Sequence, residues 1–453
     1  MLTNMRLENF KPWESTGDVT LKPITGFFGS NSSGKSSLIQ SLLLMKQTVD
    51  APDQGIVFHF GDENTLVDLG DFDSVIHEHD TTRALKISLK WKSKERIRVP
   101  DVYKGGFVSE GEEIGFSVEV RENTIDSKRS LLLEEMEYQL ADSRSFGMKK
   151  KDGEFAYRVY ERGKNLDLAE STWTPDRYSR QSKFCEFPYQ AEDLFADRSF
   201  IFGLRYELTR QLQDLRYVGP FRIYPRRIYQ WSGAQPSGVG SGGEFAIESM
   251  LSTRDGNFER LGEAHLTVEK YVAQWLKRLG IVHDFQVEPL GEGKRLFEVK
   301  VRKTSSSPEV FLTDIGFGVS QILPVLVQCF FVREGSTVIL EQPDIHLHPS
   351  TQAELADVFI DAWNERRTQI LFESHSEHLL RRLQRRIAEG EIDQERVRLY
   401  FCSTDGDGTS NLSELELDKF GNISNWPEDF FGDQFGEMAA MSNAAIKRQG
   451  LAH

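Results

Sequence analysis

The pattern of apolar and polar positions is strongest near the two ends of the chain. An alternating run over Met5–Phe10 predicts a first strand, and Ile24–Phe28 predicts a strand that leads into Gly29. From Ser36 onward the apolar residues follow a helical spacing. They form one stripe of Leu38, Ile39, Leu42, Leu43 and Met45. The local order is therefore strand, Gly-rich loop, helix.

Strands and helices alternate again over the C-terminal third of the chain. The predicted strands are Thr337–Glu341, Gln369–Glu373 and Val397–Cys402. The predicted helices are Ser320–Val332, Gln352–Trp363 and Glu377–Ile387. Strands that alternate with helices are typical of a mostly parallel sheet with right-handed crossovers.

The middle of the chain, from about Thr82 to Val301, has weaker patterning. Its predicted elements are strands at Arg83–Trp91, Ile114–Val120 and Leu296–Val301 and helices at Ala191–Leu215 and Leu266–Leu279. Leu131–Leu140 is ambiguous, and Ser143–Arg180 is polar with weak periodicity. Sustained heptads are missing, so no long coiled-coil arm is expected. We predict an α/β head formed by residues 1–95 and 305–453, the latter with a C-terminal tail, and an inserted α+β region at 96–304.

Composition narrows the class of protein. The 453 residues are 39% hydrophobic and 28% charged, which is typical of a globular chain. The net charge of −15 disfavours a default nucleic-acid binder, so DNA contact would need a local basic patch. Three widely spaced cysteines form no disulfide or metal pattern. No signal peptide is evident, and the longest apolar run is too short for a bilayer. These features predict a cytoplasmic protein without a membrane partner.

The segment Gly29–Ser37, GSNSSGKSS, fits the P-loop pattern GxxxxGK[ST]. Its amides can surround phosphate oxygens, and the helix behind it directs its positive end at them. Lys35 is expected to be a solvent-facing charge that reaches the β and γ phosphates of ATP, and Ser36 to ligate Mg²⁺. The predicted nucleotide contacts in this loop are Gly29, Asn31, Ser32, Ser33, Gly34, Lys35, Ser36 and Ser37.

A second chemical signal is the apolar strand Val338–Leu340 followed by Glu341, Gln342 and Pro343. P-loop ATPases place an acidic residue at the end of such a strand to hold the Mg²⁺ shell. Glu341 is therefore predicted to share the metal site with Ser36.

These motifs resemble those of the ABC-type AAA family ATPases of bacterial anti-phage defence, the group that includes the overcoming-lysogenization-defect family. The resemblance rests on MRLENF at 5–10, VGPFRIYP at 218–225, LEQPDIHLHP at 340–349 and ESHSEHLL at 373–380. The NWPEDFF segment at 425–431 is similar to a narrower subgroup, the Septu-type ATPase subunits, which are paired with a separate HNH nuclease. The resemblance implies a P-loop ABC-type head with a mixed, mostly parallel sheet.

The resemblance also implies roles for residues outside the P-loop. Residues 312–321, LTDIGFGVSQ, resemble the ABC signature, which caps the γ-phosphate held by the other protomer. The implied nucleotide contacts are Gly316, Phe317, Gly318 and Ser320. Gly316 and Gly318 leave the backbone amides accessible, and the helix predicted to start at Ser320 would direct its positive end at an anion, which agrees with that role. His375 matches the switch histidine that senses the γ-phosphate. The resemblance therefore implies a homodimer or a larger homo-oligomer with an even number of subunits.

One residue departs from the family pattern. ABC heads usually have Asp-Glu-Pro where this chain has Glu341, Gln342 and Pro343. Gln342 can orient a water molecule but cannot accept its proton at neutral pH. Either hydrolysis is slow, or Glu341 or Asp344 takes over as the base.

Two other features have competing interpretations. Asp405 and Asp407 resemble the DxD of a TOPRIM nuclease, but too little chain follows for such a module, and a hairpin turn is favoured. The helical cluster of Arg381, Arg382, Arg385 and Arg386 is either a solvated face or a DNA or partner contact.

The leading hypothesis is an ATPase, with catalytic residues Lys35, Glu341, Gln342 and His375, that binds ATP and Mg²⁺ between two heads. It hydrolyses ATP slowly and controls a separate nuclease, suspected to be of HNH type, in anti-phage defence. An intrinsic nuclease site is not expected. The alternative is an SMC-like DNA-processing or DNA-repair ATPase that acts directly on DNA.

Overall fold

A computed structural model describes most of the chain. The described residues are 1–100, 107–125, 128–141, 144–152, 156–163, 166–174, 183–188, 192–194, 198–254, 260–291, 295–316, 318–427, 430 and 434–448.

Strands and helices are numbered here in chain order. The strands are β1 (Leu2–Phe10), β2 (Trp13–Ser15), β3 (Val19–Thr20), β4 (Ile24–Gly29), β5 (Leu85–Pro100), β6 (Phe107–Ile125), β7 (Lys128–Leu140), β8 (Ser145–Lys150), β9 (Tyr157–Gly163), β10 (Leu166–Trp173), β11 (Leu215–Val218), β12 (Tyr229–Gln230), β13 (Asp284–Pro289), β14 (Leu296–Arg302), β15 (Glu309–Phe311), β16 (Thr337–Glu341), β17 (Gln369–Glu373), β18 (Val397–Thr404) and β19 (Ser410–Glu414). The α-helices are α1 (Lys35–Asp50), α2 (Phe72–Val75), α3 (Arg198–Gln213), α4 (Ala246–Leu251), α5 (Val268–Arg278), α6 (Gly318–Phe331), α7 (Pro349–Arg366), α8 (Glu377–Ala388) and α9 (Gln434–Arg448).

The head is built on a sheet that has six strands among the described residues, in the order β11-β16-β17-β4-β18-β19. Every neighbouring pair is parallel except β18 and β19, which form an antiparallel hairpin. The turn of this hairpin contains Asp405, whose backbone N–H donates to the Thr409 carbonyl at 3.0 Å. The α/β class and the mixed, mostly parallel sheet are therefore confirmed.

The two faces of this sheet belong to two separate hydrophobic clusters. Val338 and Leu340 of β16 pack into a cluster with apolar residues of α6, α7 and α8. Ile339, between them, packs into the other cluster with apolar residues of α1. Since side chains alternate across a strand, α1 covers one face, and α6, α7 and α8 cover the opposite face.

An antiparallel sheet packs beside the α1 face. Among the described residues it has nine strands, in the order β10-β9-β8-β7-β6-β5-β1-β2, with β3 also paired to β1. Its buried residues, including Trp91, Phe116 and Tyr138, share the cluster of α1. Strands β8, β9 and β10 fall in the polar stretch where the sequence pattern predicted no regular element.

A smaller antiparallel sheet, four strands within the described ranges, joins the opposite side in the order β12-β14-β13, with β15 paired to β14. Helix α5 ties this region to α7, since the Tyr271 hydroxyl and the Trp275 Nε1 both donate to the Asp361 carboxylate, at 2.5 and 2.8 Å.

The domain limits stay a prediction. The boundary at 95/96 falls within β5, and β11 from the middle region is the edge strand of the parallel sheet. Along the described part of the chain, no helix combines the length and the apolar character needed to cross a membrane.

Candidate ATP site

The P-loop connects β4 to the N-terminus of α1. Gly29 and Gly34 have φ angles of +140° and +85°, which side-chain-bearing residues rarely adopt. A Cβ at Gly34 would also meet the Trp13 ring at 2.9 Å. The Trp13 Nε1 donates to the Gly34 carbonyl at 3.1 Å, so the indole from β2 fixes the end of the loop. Asn31 and Ser32 are exposed at the loop's tip, where a phosphate can reach their amides.

Lys35 is buried, and the sequence-based expectation of a solvent-facing charge is wrong. Its side chain folds back into the loop, with Nζ at 2.6 Å from the Ser30 carbonyl oxygen and 3.2 Å from that of Gly29. Only 3% of the residue is exposed, and burial lowers the pKa of its ammonium group. The ammonium group of Lys35 therefore donates to these carbonyl oxygens in place of a phosphate.

Two carboxylates face the P-loop helix from adjacent strands. Glu341 and Glu373 are register partners on β16 and β17, and Glu373 is the register partner of Phe27 on β4. Both carboxylates lie two residues beyond apolar side chains of the α1 face, Ile339 and Leu371. Because strands alternate with period two, both acids stand on the face from which α1 begins.

Glu373 reaches the P-loop directly. The Ser36 hydroxyl donates to Glu373 Oε2 at 2.7 Å. Burial raises the pKa of Glu373, and the Ser36 hydrogen bond and the positive charge of Lys35 oppose that rise. The serine predicted as a metal ligand therefore touches a carboxylate that sequence reasoning did not assign.

Glu341 is 7% exposed, and burial together with the neighbouring charge of Glu373 raises its pKa to about 7. The Tyr217 hydroxyl of β11 hydrogen bonds to this carboxyl group. Among the described residues, Glu341 Oε1 and Asp344 Oδ1 are buried without a hydrogen-bond partner. Buried acids of this kind are unfavourable as free anions.

The backbone after β16 has an unusual conformation that Arg222 supports. Gln342 has a φ of +44°, in the left-handed region. Its N–H donates to the Glu373 carbonyl at 3.0 Å. The buried guanidinium of Arg222 donates to the carbonyls of Glu341 and Gln342, both at 3.2 Å. The Gln342 side chain also hydrogen bonds to the Glu373 carboxylate. Gln342 is thus held beside the Ser36–Glu373 pair.

His375 follows β17 and lies at the mouth of the P-loop. Its ring hydrogen bonds to the Gly29 backbone, and it is exposed to solvent. Partial desolvation, and then the positive charge of Lys35, lower the pKa of His375 below its ordinary value, so the ring is neutral at pH 7. A neutral ring at this position can exchange hydrogen bonds with a phosphate oxygen.

The signature segment lies on the other face of the sheet. Helix α6 begins at Gly318, so Ser320 is the third helical residue and not the first. Gly316 is exposed and Ser320 is buried, while Phe317 lies outside the described residues. Arg227 Nη2 donates to Asp314 Oδ1 at 2.7 Å, and Ile223 and Tyr224 line a crevice with Ser320. The loop 219–228, which connects β11 to β12, thus contacts both the end of β16 and the signature segment.

The donor set fits a magnesium ion. Mg²⁺ in P-loop sites is bound by a hydroxyl, one or two carboxylates, phosphate oxygens and water. Ser36, Glu373 and Glu341 supply a hydroxyl and two carboxylates on one face, and Glu341 has an unsatisfied oxygen. A bound cation would offset the cost of burying these charges.

The structure gathers the residues predicted for the P-loop, together with Glu341, Gln342 and His375, around one end of the sheet. It leaves Gly316, Gly318 and Ser320 on the opposite face. Sequence reasoning missed Glu373, Arg222, Tyr217 and Lys11. The Lys11 side chain donates to Gln40 of α1 at 2.7 Å and carries a charge that favours the Glu341 carboxylate. Glu373 and Arg222 lie within the motifs ESHSEHLL at 373–380 and VGPFRIYP at 218–225, and these motifs were the sequence features that could have indicated them.

Comparisons with known families give two matches. The family described as "AAA domain, putative AbiEii toxin, Type IV TA system" matches residues 24–381, from β4 into α8. A protein family of unknown function, DUF3696, matches residues 392–441. A search of curated proteins gives no match.

Solved structures of SMC heads are similar to this chain, and each similarity covers 92% of it. An SMC head bound to the C-winged helix domain of ScpA is 10% identical, with 99% of that chain covered and a TM-score of 0.43. The SMC head domain from Thermotoga maritima is 11% identical, with 99% covered and a TM-score of 0.39. An SMC head with an extended coiled coil, bound to the C-terminal domain of ScpA derived from Pyrococcus furiosus, is 10% identical, with 96% covered and a TM-score of 0.42.

Proposed function

Because the chain belongs to the family of AAA domains described as putative AbiEii toxins of Type IV TA systems, we propose that it is an ABC-type ATPase that binds ATP with Mg²⁺ and hydrolyses it slowly. The observation that carries this proposal is the contact of Ser36 with a carboxylate beside the buried Lys35. A P-loop whose lysine and serine lie next to acidic strand ends has the parts that phosphoryl transfer from ATP needs.

Each group has a chemical task in this proposal. Lys35 releases the carbonyls of Gly29 and Ser30 and binds the β and γ phosphates, whose charge develops further in the transition state. Ser36 and the neighbouring carboxylates would hold Mg²⁺, which would supply positive charge to offset that of the phosphates. Gln342 orients the attacking water, and His375 contacts the γ-phosphate. Since Gln342 cannot accept the proton, turnover is slow and the ATP-bound state persists.

We propose further that the site is completed by a second copy of the chain. The P-loop helix and the signature helix cover opposite faces of one sheet, which supports capping in trans. Near the signature, Phe221 and Tyr224 are 89% and 75% exposed. Exposed aromatic residues beside a motif that binds a partner's nucleotide are suited to an interface.

The nucleotide state is proposed to control a separate nuclease of HNH type in cytoplasmic anti-phage defence. Support comes from the resemblance of the motifs to that group. Helix α9 adds an exposed apolar surface formed by Met438, Met441 and Ile446, to which a protein partner can bind. Purified partner nuclease should change its DNA cleavage when the ATPase switches from ATP to ADP. Equal cleavage in both states would contradict this part.

Calorimetric titration of ATP tests the P-loop assignment. Lys35→Ala is expected to abolish ATP binding, because the phosphates lose their cation, while circular dichroism shows a folded protein. Lys277→Ala, a change of the same kind at the exposed end of α5, is the matched control and should bind ATP normally. Wild-type affinity in Lys35→Ala would overturn the assignment.

Mixing two inactive variants tests the trans arrangement. Lys35→Ala lacks a P-loop cation, and Ser320→Arg blocks a signature. A mixed dimer then keeps one intact composite site, and partial hydrolysis should return. If mixed dimers form and remain fully inactive, the signature does not act in trans.

A further inference from the structure

The acidic residue that contacts Ser36 is Glu373, and not Glu341, which the sequence predicted as the metal ligand. β17 lies between β4 and β16, so Glu373 is one strand away from the P-loop strand and Glu341 is two strands away. Adjacent strands are about 4.8 Å apart. The Glu341 side chain must therefore reach across β17 to meet Ser36, whereas Glu373 already touches it at 2.7 Å.

The spacing of the two oxygens suits one metal ion. Neighbouring ligands of octahedral Mg²⁺ lie at about 2.1 Å from the ion, which separates them by about 3.0 Å. Ser36 Oγ and Glu373 Oε2 are 2.7 Å apart. For an ion to be held by both oxygens, the Ser36 hydroxyl would turn its proton away from Glu373 and offer a lone pair, and the two oxygens would need to move apart only slightly. The second contact of the Glu373 carboxylate, with the Gln342 side chain, holds it in this position.

Within the part of the chain that the structure describes, the neighbours that favour the Glu373 carboxylate belong to the nucleotide site. Glu373 is 3% exposed, and the groups that favour its charged form are Ser36, Lys35 and Gln342, all of them parts of the nucleotide site. A buried acid whose favourable neighbours belong to one site is suited to a role in that site.

We propose that Glu373 is the carboxylate that, together with the Ser36 hydroxyl, holds the Mg²⁺ ion of the bound nucleotide. Glu341 then lies farther out, where Tyr217 and Lys11 accompany it, and supports the ion's water shell. This inference rests on the proposed ATP binding, and it assigns the metal contact to the last residue of β17, the strand between the P-loop strand and β16.

The test compares ATP affinity with Mg²⁺ and with EDTA by calorimetry in the wild type and in Glu373→Gln. In EDTA, Glu373→Gln should bind ATP at least as tightly as the wild type, because a negative charge near the phosphates is gone. The gain in affinity on adding Mg²⁺ should fall at least tenfold, as in Ser36→Ala. Glu391→Gln removes an exposed carboxylate beyond α8 and should keep the full gain.

A second readout follows the ion itself. With Mn²⁺ in place of Mg²⁺, electron paramagnetic resonance should show weaker Mn²⁺ binding to the ATP complex of Glu373→Gln than to that of Glu341→Gln. Retained ATP binding in EDTA shows that the variant is folded. The proposal would be overturned if Mg²⁺ increased the ATP affinity of Glu373→Gln as much as it does that of the wild type and if this variant also bound Mn²⁺ as tightly as the wild type does. Failure of the wild type itself to bind ATP would instead contradict the proposed function.

Discussion

Gln342 is the residue that we propose limits the rate of ATP hydrolysis. Its backbone lies in the left-handed region at a φ of +44°, a conformation that costs about 1 kcal/mol or more for a residue with a side chain. Arg222 and the Glu373 carbonyl hold that conformation through three hydrogen bonds. Backbone strain of this kind is common at functional sites, where it directs a side chain at the reacting group. Here it places an amide where ABC heads have a carboxylate.

Replacing Gln342 by Glu should therefore raise the steady-state rate of phosphate release, by roughly tenfold or more, because a carboxylate adds proton acceptance to water orientation. The rate is measured at saturating ATP and Mg²⁺. Gln235→Glu, in an exposed loop outside the site, makes the same change of charge and should leave the rate unchanged. A brisk wild-type rate that Gln342→Glu does not alter means that Gln342 is not at the catalytic position.

Most of the residues in the candidate site were predicted from the sequence, but the contacts between them were not. The GxxxxGK[ST] pattern located Ser36 and Lys35, because the chemistry of phosphate binding fixes both spacing and residue type. Pattern alone could not show that Lys35 turns back onto Gly29 and Ser30. It also could not show that Glu373 contacts Ser36, since 337 positions separate them along the chain and only the order of strands unites them.

At the scale of elements, the packing of α7 and α8 explains half of the arginine cluster. Arg382 Nη1 and Arg386 Nε donate to the two carboxylate oxygens of Asp357 on α7, at 2.7 and 2.6 Å. The Asp357 side chain is only 6% exposed. Arg381 and Arg385 instead pair along α8 with Glu377 and Glu389. This use of the cluster favours a structural role over DNA contact.

Asp357→Asn should lower the free energy of unfolding by about 2–3 kcal/mol, because Arg278, Arg382 and Arg386 lose the buried charge with which they pair. Glu377→Gln breaks an exposed pair and should cost at most about 0.5 kcal/mol. Urea denaturation measures both. Equal, small losses would show that the Asp357 pairs contribute no more than surface contacts do.

The strength of the local pattern separates the elements that sequence could predict from those that it could not. β16 and β17 are buried on both faces and have the apolar centres Val338–Leu340 and Ile370–Phe372, and their limits were predicted to the residue. β8, β9 and β10 belong to an antiparallel sheet in which paired charges such as Lys149 and Glu135 cover one side. Such strands are stabilised by neighbours distant in sequence, and their own pattern is weak.

At the scale of the whole molecule, one loop joins the two motifs that the proposed dimer must coordinate. Arg222 binds the carbonyls at the end of β16, and Arg227 binds Asp314 of the signature segment. Between them, Ile223 and Tyr224 contact the crevice beside Ser320. This loop therefore connects the end of β16 with the surface that we propose binds the second copy.

The exposed Phe221 side chain of this loop gives the dimer model a specific test. Phe221→Ser should leave the monomer's stability nearly unchanged, because 89% of the residue is already exposed. It should weaken ATP-dependent dimerisation about tenfold or more, since a buried interface aromatic typically contributes more than 1 kcal/mol. Analytical ultracentrifugation with ATP and Mg²⁺ measures the dimer. Phe420→Ser, which alters another exposed phenylalanine at 65%, is the control and should dimerise as the wild type does. If Phe221→Ser also dimerises normally while it binds ATP, the two heads meet through a different surface.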